Sequence, residues 1–473
     1  MKKFLCANLI LLVIALLGVR AELQAQPTWT LDETVLNEYT LVSGVNVPWE
    51  LTWGPDNMLW CTTREGNVLR IDPASGAYEI ILELNVNDSG TEPGLLGMAL
   101  NPDWESQPKV FLVYTADDFQ NGNHERLSVF DWNGTSLVNE EILHMVDASS
   151  IHNGSRLLVL PDNTLLMSTG DVYDRFNTSQ NLDSDNGKIL RFNLDGTVPQ
   201  DNPIANSPIY SFGHRNSQGL CLGPDGIVYS SEHGQYNFDE FNILEANGNF
   251  GWPNVEGMCD GACDWCSAGN EISFCENNNV IEPLRTWSPC AAVSDIVYYD
   301  HPAIPEWQGS VLMAVLGGFG DSVGGRLNVL HMSEDGLSLL SDEHFFSSFN
   351  QRIRDVAVNP ITGAVYLALN GAQTSINNGY SNAGPNLIKE LRPASMDVVE
   401  DWAETRGVDV FPNPALDHVT FEVSESWSNS TFQIVDVNGE ILHSGIFEPG
   451  MRIDVSHWAS GAYILQSLSL IHI

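Results

Sequence analysis

The chain has 473 residues, enough for about two or three domains and a large core, and its 20 basic residues against 61 acidic ones give a formal charge of −41. A surface of that sign repels nucleic acid and anionic membranes, which removes both as partners. Where basic residues do gather in such a chain, an anionic ligand is the natural reason.

Lys2 and Lys3 open a charged stretch ahead of the apolar run LCANLILLVIALLGV, and the polar AELQAQ follows with small residues near Ala25. This pattern predicts a signal peptide over residues 1–25. The run is short for a spanning helix, and no later segment is long and apolar enough to span. An exported, soluble protein without a transmembrane segment is expected.

Within a propeller domain expected over residues 26–394, one small phrase recurs six times between residues 50 and 370: a turn on Asn/Gly-Pro-Asp, then an alternating apolar strand. Four copies begin at Gly54, Asn101, Leu160 and Gly223, and two looser ones at His301 and Asn359. Proline fixes φ at the first corner of the turn and Asp or Asn accepts a local backbone bond, so each copy starts a hairpin strand. The prolines (Pro55, Pro102, Pro161, Pro224, Pro302, Pro360) lie 47, 59, 63, 78 and 58 residues apart. Strand-rich repeats of this length predict an all-β, six-bladed β-propeller of four-stranded blades. Such a fold presents ligands at one mouth of its central channel.

Four segments carry chemistry. His152-Asn153-Gly154-Ser155-Arg156 precedes the third repeat, and a neutral histidine is the natural acceptor of an alcohol proton. Gly213-His214-Arg215-Asn216-Ser217-Gln218-Gly219 sets successive polar side chains between glycines, poor core material that suits a polar ligand. Ser231-Glu232-His233-Gly234 leads to Asp239-Glu240, a density of carboxylates and loop carbonyls appropriate to Ca²⁺. Arg352-Ile353-Arg354-Asp355 puts two guanidinium groups on one strand face, placed to grip carboxylates bidentately unless Asp355 or another local acid pairs with them.

Five cysteines gather at 259, 263, 266, 275 and 290, with Cys61 and Cys221 elsewhere. The spacing of Cys259, Cys263 and Cys266 is one used for iron–sulfur clusters, and four thiolates also suit zinc. An oxidising compartment favours disulfides over both. A Cys259–Cys275 bridge is expected in an insertion between the fourth and fifth blades, with Cys263 and Cys266 in the same knot. Seven cysteines after the leader leave one unpaired.

After a charged linker (395–407), short alternating strands over 408–467, divided at Asn438-Gly439 and Pro449-Gly450, predict a small β-sandwich. Phe411-Pro412-Asn413-Pro414, Asp436-Val437-Asn438-Gly439 and Ser460-Gly461-Ala462-Tyr463 resemble the C-terminal sorting domain of the type IX secretion system of Bacteroidetes. That resemblance implies the type IX machinery as a partner and a secreted or cell-surface location. The family usually ends on a basic strand, whereas residues 468–473 read LSLIHI, the translation of a common sequencing-library transposon end; they are set aside as an artefact.

Residues 40–392 resemble the glucose/sorbosone dehydrogenase family. Besides the four segments, Val47-Pro48-Trp49, Glu92-Pro93-Gly94-Leu95-Leu96-Gly97 with Asn101-Pro102, and Gly187-Lys188-Ile189-Leu190-Arg191 carry the likeness. Soluble members of that family oxidise aldoses with pyrroloquinoline quinone (PQQ) and Ca²⁺ on a six-bladed propeller. The resemblance implies oxidation of a sugar at C1 to the lactone, with an external electron acceptor. It makes His152 the general base, with Arg215 and Asn216 beside quinone and substrate. It places Glu92 and His233 at the cofactor and makes Arg352 and Arg354 clamps for its carboxylates. Gly234 and Gln235 become backbone Ca²⁺ ligands supported by Asp239 and Glu240. Two departures stand out: Glu92 replaces a neutral glutamine, and Leu312–Gly320 lacks the family's cofactor-binding lysine. The alternative is a non-catalytic, calcium-stabilised extracellular binding propeller.

Overall fold

A computed structural model describes residues 27–118, 122–264, 268–318, 320–372 and 385–394, together with residues 408–411, 418–423, 431–436, 441–446, 451–455 and 463–468. The expected leader, the linker and residues 469–473 lie outside the described residues. The chain divides into two compact units between Ala394 and Ser395.

The first unit is a propeller of six antiparallel sheets. Their innermost strands are Pro48–Trp53, Leu95–Leu100, Gly154–Val159, Ser217–Leu222, Val293–Tyr299 and Gln351–Val358. Every copy of the repeated phrase falls on the same turn, from the first strand of a blade to the second. The polar residue does what its chemistry allows: Asn101 Oδ1 accepts the Asp103 N–H at 3.0 Å, Asp162 Oδ1 that of Thr164 at 3.0 Å, and Asn359 Oδ1 that of Ile361 at 2.9 Å. In the looser fifth copy, His301 Nδ1 accepts the Ala303 N–H at 3.1 Å. The sixth blade is closed from the far end of the chain, because Val35–Ser43 pairs with Leu387–Pro393 and Thr28–Thr30 adds a fifth strand. An ion pair from Lys389 to Glu38 fastens that seam.

One apolar cluster lies between each pair of neighbouring blades. Phe111 and Val113 meet Met167 and Phe192 between blades 2 and 3, and Leu312 and Val329 meet Val365 and Leu391 between blades 5 and 6. Both faces of a blade are therefore covered. This corrects the expectation of alternating strands: Leu59–Thr63, Thr164–Thr169 and Ser310–Val315 are buried at every position, as strands packed on both faces must be.

The cysteine-rich insertion lies within blade 4, between its third strand (Asp239–Ile243) and its fourth (Arg285–Trp287), not between blades. Within it, Cys259 and Cys275 form the expected disulfide with Cα atoms 6.2 Å apart, Cys275 riding on a helix over Ala268–Asn278. Cys263 is disulfide-bonded as well, whereas Cys266 lies outside the described residues. Among the described residues three cysteines are free and buried, not one: Cys61, Cys221 and Cys290. Cys61 and Cys221 fill clusters between blades, where a thiol serves as a small apolar group.

The second unit holds two three-stranded antiparallel sheets. Val408–Phe411, His418–Val423 and Met451–Asp454 form one; Ile441–Ile446, Thr431–Asp436 and Tyr463–Leu468 form the other. Phe421 and Phe432, one from each sheet, lie with ring centroids 5.8 Å apart, giving the expected small sandwich.

Candidate active site at one mouth of the channel

The N-terminal ends of the six innermost strands gather at one mouth of the channel. A cavity of about 580 Å³ there takes lining from every blade, including Trp49, Glu92, Asn153, Asn216, Ala292 and Arg354. The later residues of the same strands line a second cavity of about 660 Å³ at the other end. Arg156 plugs the axis between them. Its Nη1 donates to Asp355 Oδ2 at 2.7 Å and to Glu50, while its Nε lies 3.3 Å from Asp295 Oδ1 and donates to the Gln218 carbonyl at 2.9 Å. Burial raises the pKa values of Glu50 and Asp295 well above the carboxylate range, and that of Asp355 to about 6, with the Arg156 charge opposing.

His152 stands at the mouth just before the first strand of blade 3, its backbone left-handed at φ 59°. Gly170 makes that course possible, since a Cβ there would lie 1.8 Å from the His152 carbonyl oxygen. The His152 N–H donates to Glu92 Oε2. Its imidazole bridges two groups: Nδ1 lies 2.7 Å from Asp171 Oδ1, and Nε2 lies 3.0 Å from Arg215 Nη2. A guanidinium only donates, so Nε2 is the acceptor and Nδ1 carries the proton toward Asp171. Asp171 is fixed in turn by Trp252 Nε1, at 2.9 Å from Oδ2. Burial would raise the Asp171 pKa, but the bond from His152 and the charge of Arg215 bring it below the usual value. The arrangement fixes one tautomer of the imidazole, with the Nε2 lone pair taken by Arg215, and both residues stand behind the cavity's own lining.

Arg215 also donates to the His233 carbonyl at 3.1 Å and lies over the Trp252 ring at 5.4 Å. Asn216 Oδ1 accepts the Gly154 N–H at 3.1 Å, joining blades 3 and 4 at the cavity wall. Arg352 and Arg354 both line the cavity, as their alternation predicted. Asp355 accepts its hydrogen bond from Arg156 and meets Arg354 only through its charge. Arg354 instead contacts Gln218 Oε1 at 3.1 Å, Ser294 Oγ at 3.5 Å and the Trp49 ring at 5.9 Å. Burial and the neighbouring Arg352 charge push its pKa down to about 9. His233 lines the same cavity, and burial with the charges of Arg215 and Arg354 drives its pKa down to about 3. Among the described residues around the mouth, the buried Arg215 Nε, His233 Nε2 and Arg354 Nε lack hydrogen-bond partners. The lining cations are Arg64, Arg352 and Arg354, with Glu92 the acid opposite.

The expected carboxylate shell for Ca²⁺ is not formed. Asp239 and Glu240 alternate to opposite faces of their strand. Asp239 Oδ1 accepts the Gly234 N–H at 2.8 Å, and Oδ2 those of Ala292 at 2.6 Å and Val293 at 3.2 Å. Glu240 accepts the Gly257 N–H at 3.0 Å and Asn242 Nδ2 at 3.0 Å. Both acids have become staples for backbone N–H groups, and among the described residues no three acidic, histidine or cysteine side chains converge as metal ligands. Gly234 and Gln235 stay near the site, Gln235 Oε1 lying 3.4 Å from Arg215 Nη2.

The polar run 213–219 divides by role. His214 is fully buried away from the cavity, bonded to Ser211 Oγ at 2.8 Å and Glu232 Oε2 at 2.9 Å and stacked on Phe250. Paired hydrogen bonds made it core material after all. Sequence reasoning missed Asp171, which follows the apolar strand TLLMST by one glycine, and missed Trp252 as its clamp. Arg64 and Asn370, also in the lining, carry no signal of their own.

Comparison with known proteins gives the family. The profile of the Glucose / Sorbosone dehydrogenase family matches residues 45–378, and that of the secretion system C-terminal sorting domain residues 409–469. The sorting domain indicates export through type IX secretion to the cell surface or beyond it. Quinoprotein glucose dehydrogenase B of Acinetobacter calcoaceticus is 34% identical over 252 residues, 46% of this chain and 53% of that protein, so the match spans about half of its length. An uncharacterized protein of Synechocystis is 32% identical, covering 72% and 84%, and the aldose sugar dehydrogenase YliI of Escherichia coli is 28% identical, covering 70% and 89%. The PQQ-bound structure of aldose sugar dehydrogenase from Streptomyces coelicolor superposes with a TM-score of 0.61 at 28% identity, over 78% of this chain and all of that one.

Proposed function

Since the chain belongs to the Glucose / Sorbosone dehydrogenase family, we propose that it is an exported quinoprotein that oxidises an aldose at C1 to the lactone. The observation that carries this reading is one mouth holding both a neutral, braced imidazole and a guanidinium bonded only to neutral groups. The donor set fits PQQ. Arg352 and Arg354 would hold its carboxylates, His233 and Asn216 would flank it, and the unpartnered nitrogens of Arg215, His233 and Arg354 supply donors for its oxygens. Bound there, PQQ supplies the two-electron acceptor for a hydride from C1.

The chain's own part is proton chemistry. His152 Nε2 takes the proton of the C1 hydroxyl as the C–H bond breaks, and Asp171 stabilises the imidazolium that results. Arg215 exchanges its bond to Nε2 for one to the substrate oxygen, keeping the hydroxyl at the base. The proton leaves through solvent at the mouth, and an external acceptor removes the electrons. For Ca²⁺ the acids do not fit, so no step runs through the ion; the carbonyls of Gly234 and Gln235 are the ligands this chain would offer.

The test is reconstitution of the purified protein with PQQ, with and without Ca²⁺, followed by dye reduction across a panel of aldoses. Reduction that requires PQQ and sugar together is expected. Tight PQQ binding with no reduction by any aldose would leave a binding propeller in place of an enzyme.

A further inference from the structure

Among the described residues lining the mouth cavity, Arg64, Arg352 and Arg354 are the cations and Glu92 is the acid. Arg215 adds nothing to this sum, because its charge is matched by Asp171 across the His152 imidazole. His233 is neutral, its pKa held at about 3 by burial and by the charges of Arg215 and Arg354. Three guanidinium groups therefore face one carboxyl.

That carboxyl is built into the wall. It lies on the connection from the last strand of blade 1 (Tyr78–Glu83) to the first of blade 2 (Leu95–Leu100). Gly94 brings the connection against Arg64: its φ is 146°, and a Cβ there would lie 2.1 Å from the Arg64 carbonyl oxygen. The Leu95 N–H donates to that carbonyl at 3.0 Å, and Arg64 Nη1 donates to the Thr91 carbonyl. On the other side the Thr91 hydroxyl donates to the Ser150 carbonyl at 3.3 Å, and Glu92 Oε2 accepts the His152 N–H. The ionisable groups around Glu92 are Arg64 of blade 1, Glu125 of blade 2, His152 before blade 3, His233 of blade 4, and Arg352 and Arg354 of blade 6. Two of them register its charge. Burial and Arg352 lower the Arg354 pKa and Glu92 opposes them, while burial raises that of Glu125 and Glu92 adds to the rise.

We propose that Glu92 is the internal anion of the mouth and is neutralised when PQQ enters, so that loading the cofactor takes up a proton at Glu92. This inference rests on the PQQ reading of the mouth and adds a proton to it. PQQ carries three carboxylates, ionised near neutral pH because carboxyls titrate near ~4. Arg64, Arg352 and Arg354 match them one for one only when Glu92 is uncharged. With Glu92 ionised, the incoming carboxylates would meet another of the same sign, and like charges in one site favour protonation of one of them. In the apoprotein the same carboxylate offsets the mutual repulsion of the arginines. Protonated Glu92 keeps its place, since its carbonyl oxygen still accepts the His152 N–H. The PQQ-bound protein then holds more protons than the apoprotein, so affinity falls as pH rises.

The test titrates PQQ into the full-length apoprotein, without sugar or added metal, and follows tryptophan fluorescence at pH 6, 7 and 8. Calorimetry of the same binding in two buffers of different ionisation heat counts the protons. In the wild type Kd is expected to rise with pH, by at most about tenfold per pH unit, with about one proton taken up. In Glu92→Gln, which keeps the shape and the bond from His152, Kd should not depend on pH. At pH 8 it should be at least about tenfold lower than in the wild type, with no proton taken up. Glu125→Gln should keep the wild-type slope. A slope that survives in Glu92→Gln, or that Glu125→Gln abolishes instead, overturns the inference while PQQ binding stands. Looser binding by Glu92→Gln at every pH also overturns it, since Glu92 would then hold the cofactor instead of competing with it. The expected slopes in a protein that oxidises no aldose keep the inference and remove the dehydrogenase. PQQ binding by neither protein at any pH removes both.

Discussion

Two guanidinium groups share the ring of Trp49, Arg156 at 4.5 Å and Arg354 at 5.9 Å. Arg156 faces the axis and meets three carboxylates, Glu50, Asp295 and Asp355. Arg354 lies one layer nearer the mouth and meets an amide and a hydroxyl. A buried cation ringed by three acids belongs to the scaffold. A buried cation bonded to neutral groups, sharing the single acid Glu92 with Arg64 and Arg352, is held ready for an anion from outside, in a chain with few cations to spare. The floor of the channel satisfies itself, whereas the mouth does not.

The largest test of this contrast is at the floor. Arg156→Met should lower the unfolding free energy by about 3–5 kcal/mol, since it leaves buried acids without their cation. Urea unfolding of the apoprotein measures it. A loss under about 1 kcal/mol would mean that the three acids are neutral in the folded state and that the floor is no ion cluster.

His152 belongs to the mouth, so its replacement should spare the fold. His152→Ala is expected to cut turnover by ~10²–10⁴ with PQQ affinity and urea midpoint close to wild type. If PQQ affinity fell in parallel with turnover, His152 would be holding cofactor instead of moving a proton.

Arg354→Gln sharpens the comparison directly. It should weaken PQQ binding by about 10–100-fold, as loss of a charge-assisted bond does. It should also leave stability unchanged or raised, because burial and Arg352 already disfavour this charge. Loss of stability without loss of affinity would put Arg354 with Arg156 in the scaffold.

How far this could be read from sequence depends on the distance between partners. The six turns were legible because proline and its polar neighbour act within four residues, and Arg352 and Arg354 because alternation is local. The floor was not legible: Arg156 lies 106 residues from Glu50 and 199 from Asp355, and only closure of the ring brings them together. Closure itself depends on Val35–Ser43 reaching the last blade, for which no local signal exists. Asp239 and Glu240 misled because density of acids was read as convergence, although adjacent strand residues point apart. Their oxygens were needed by the N–H groups of Gly234, Ala292, Val293 and Gly257. His152 and Arg215 were read individually, yet Asp171, the residue that fixes the imidazole's tautomer, carried no pattern beyond one glycine and one acid after a strand.

The smallest expected effect concerns an acid on the third strand of blade 2. Glu125 is fully buried; one oxygen meets the Ser155 hydroxyl and the other has no partner. Burial, aided by the charge of Glu92 and opposed by the Ser155 bond, pushes its pKa up to about 8. An unfolded glutamate titrates near ~4.3. Between those values the native state binds more protons than the unfolded one, so the stability this group contributes is full in acid and drains away as pH rises through the window. Glu125→Gln keeps the shape and removes the titration. The stability of wild type relative to this variant should therefore fall by about 1 kcal/mol between about pH 6 and pH 7, read from urea unfolding of the apoprotein. A difference that stays flat over that interval would mean Glu125 is already ionised when folded. The mouth would then hold a second carboxylate behind Glu92.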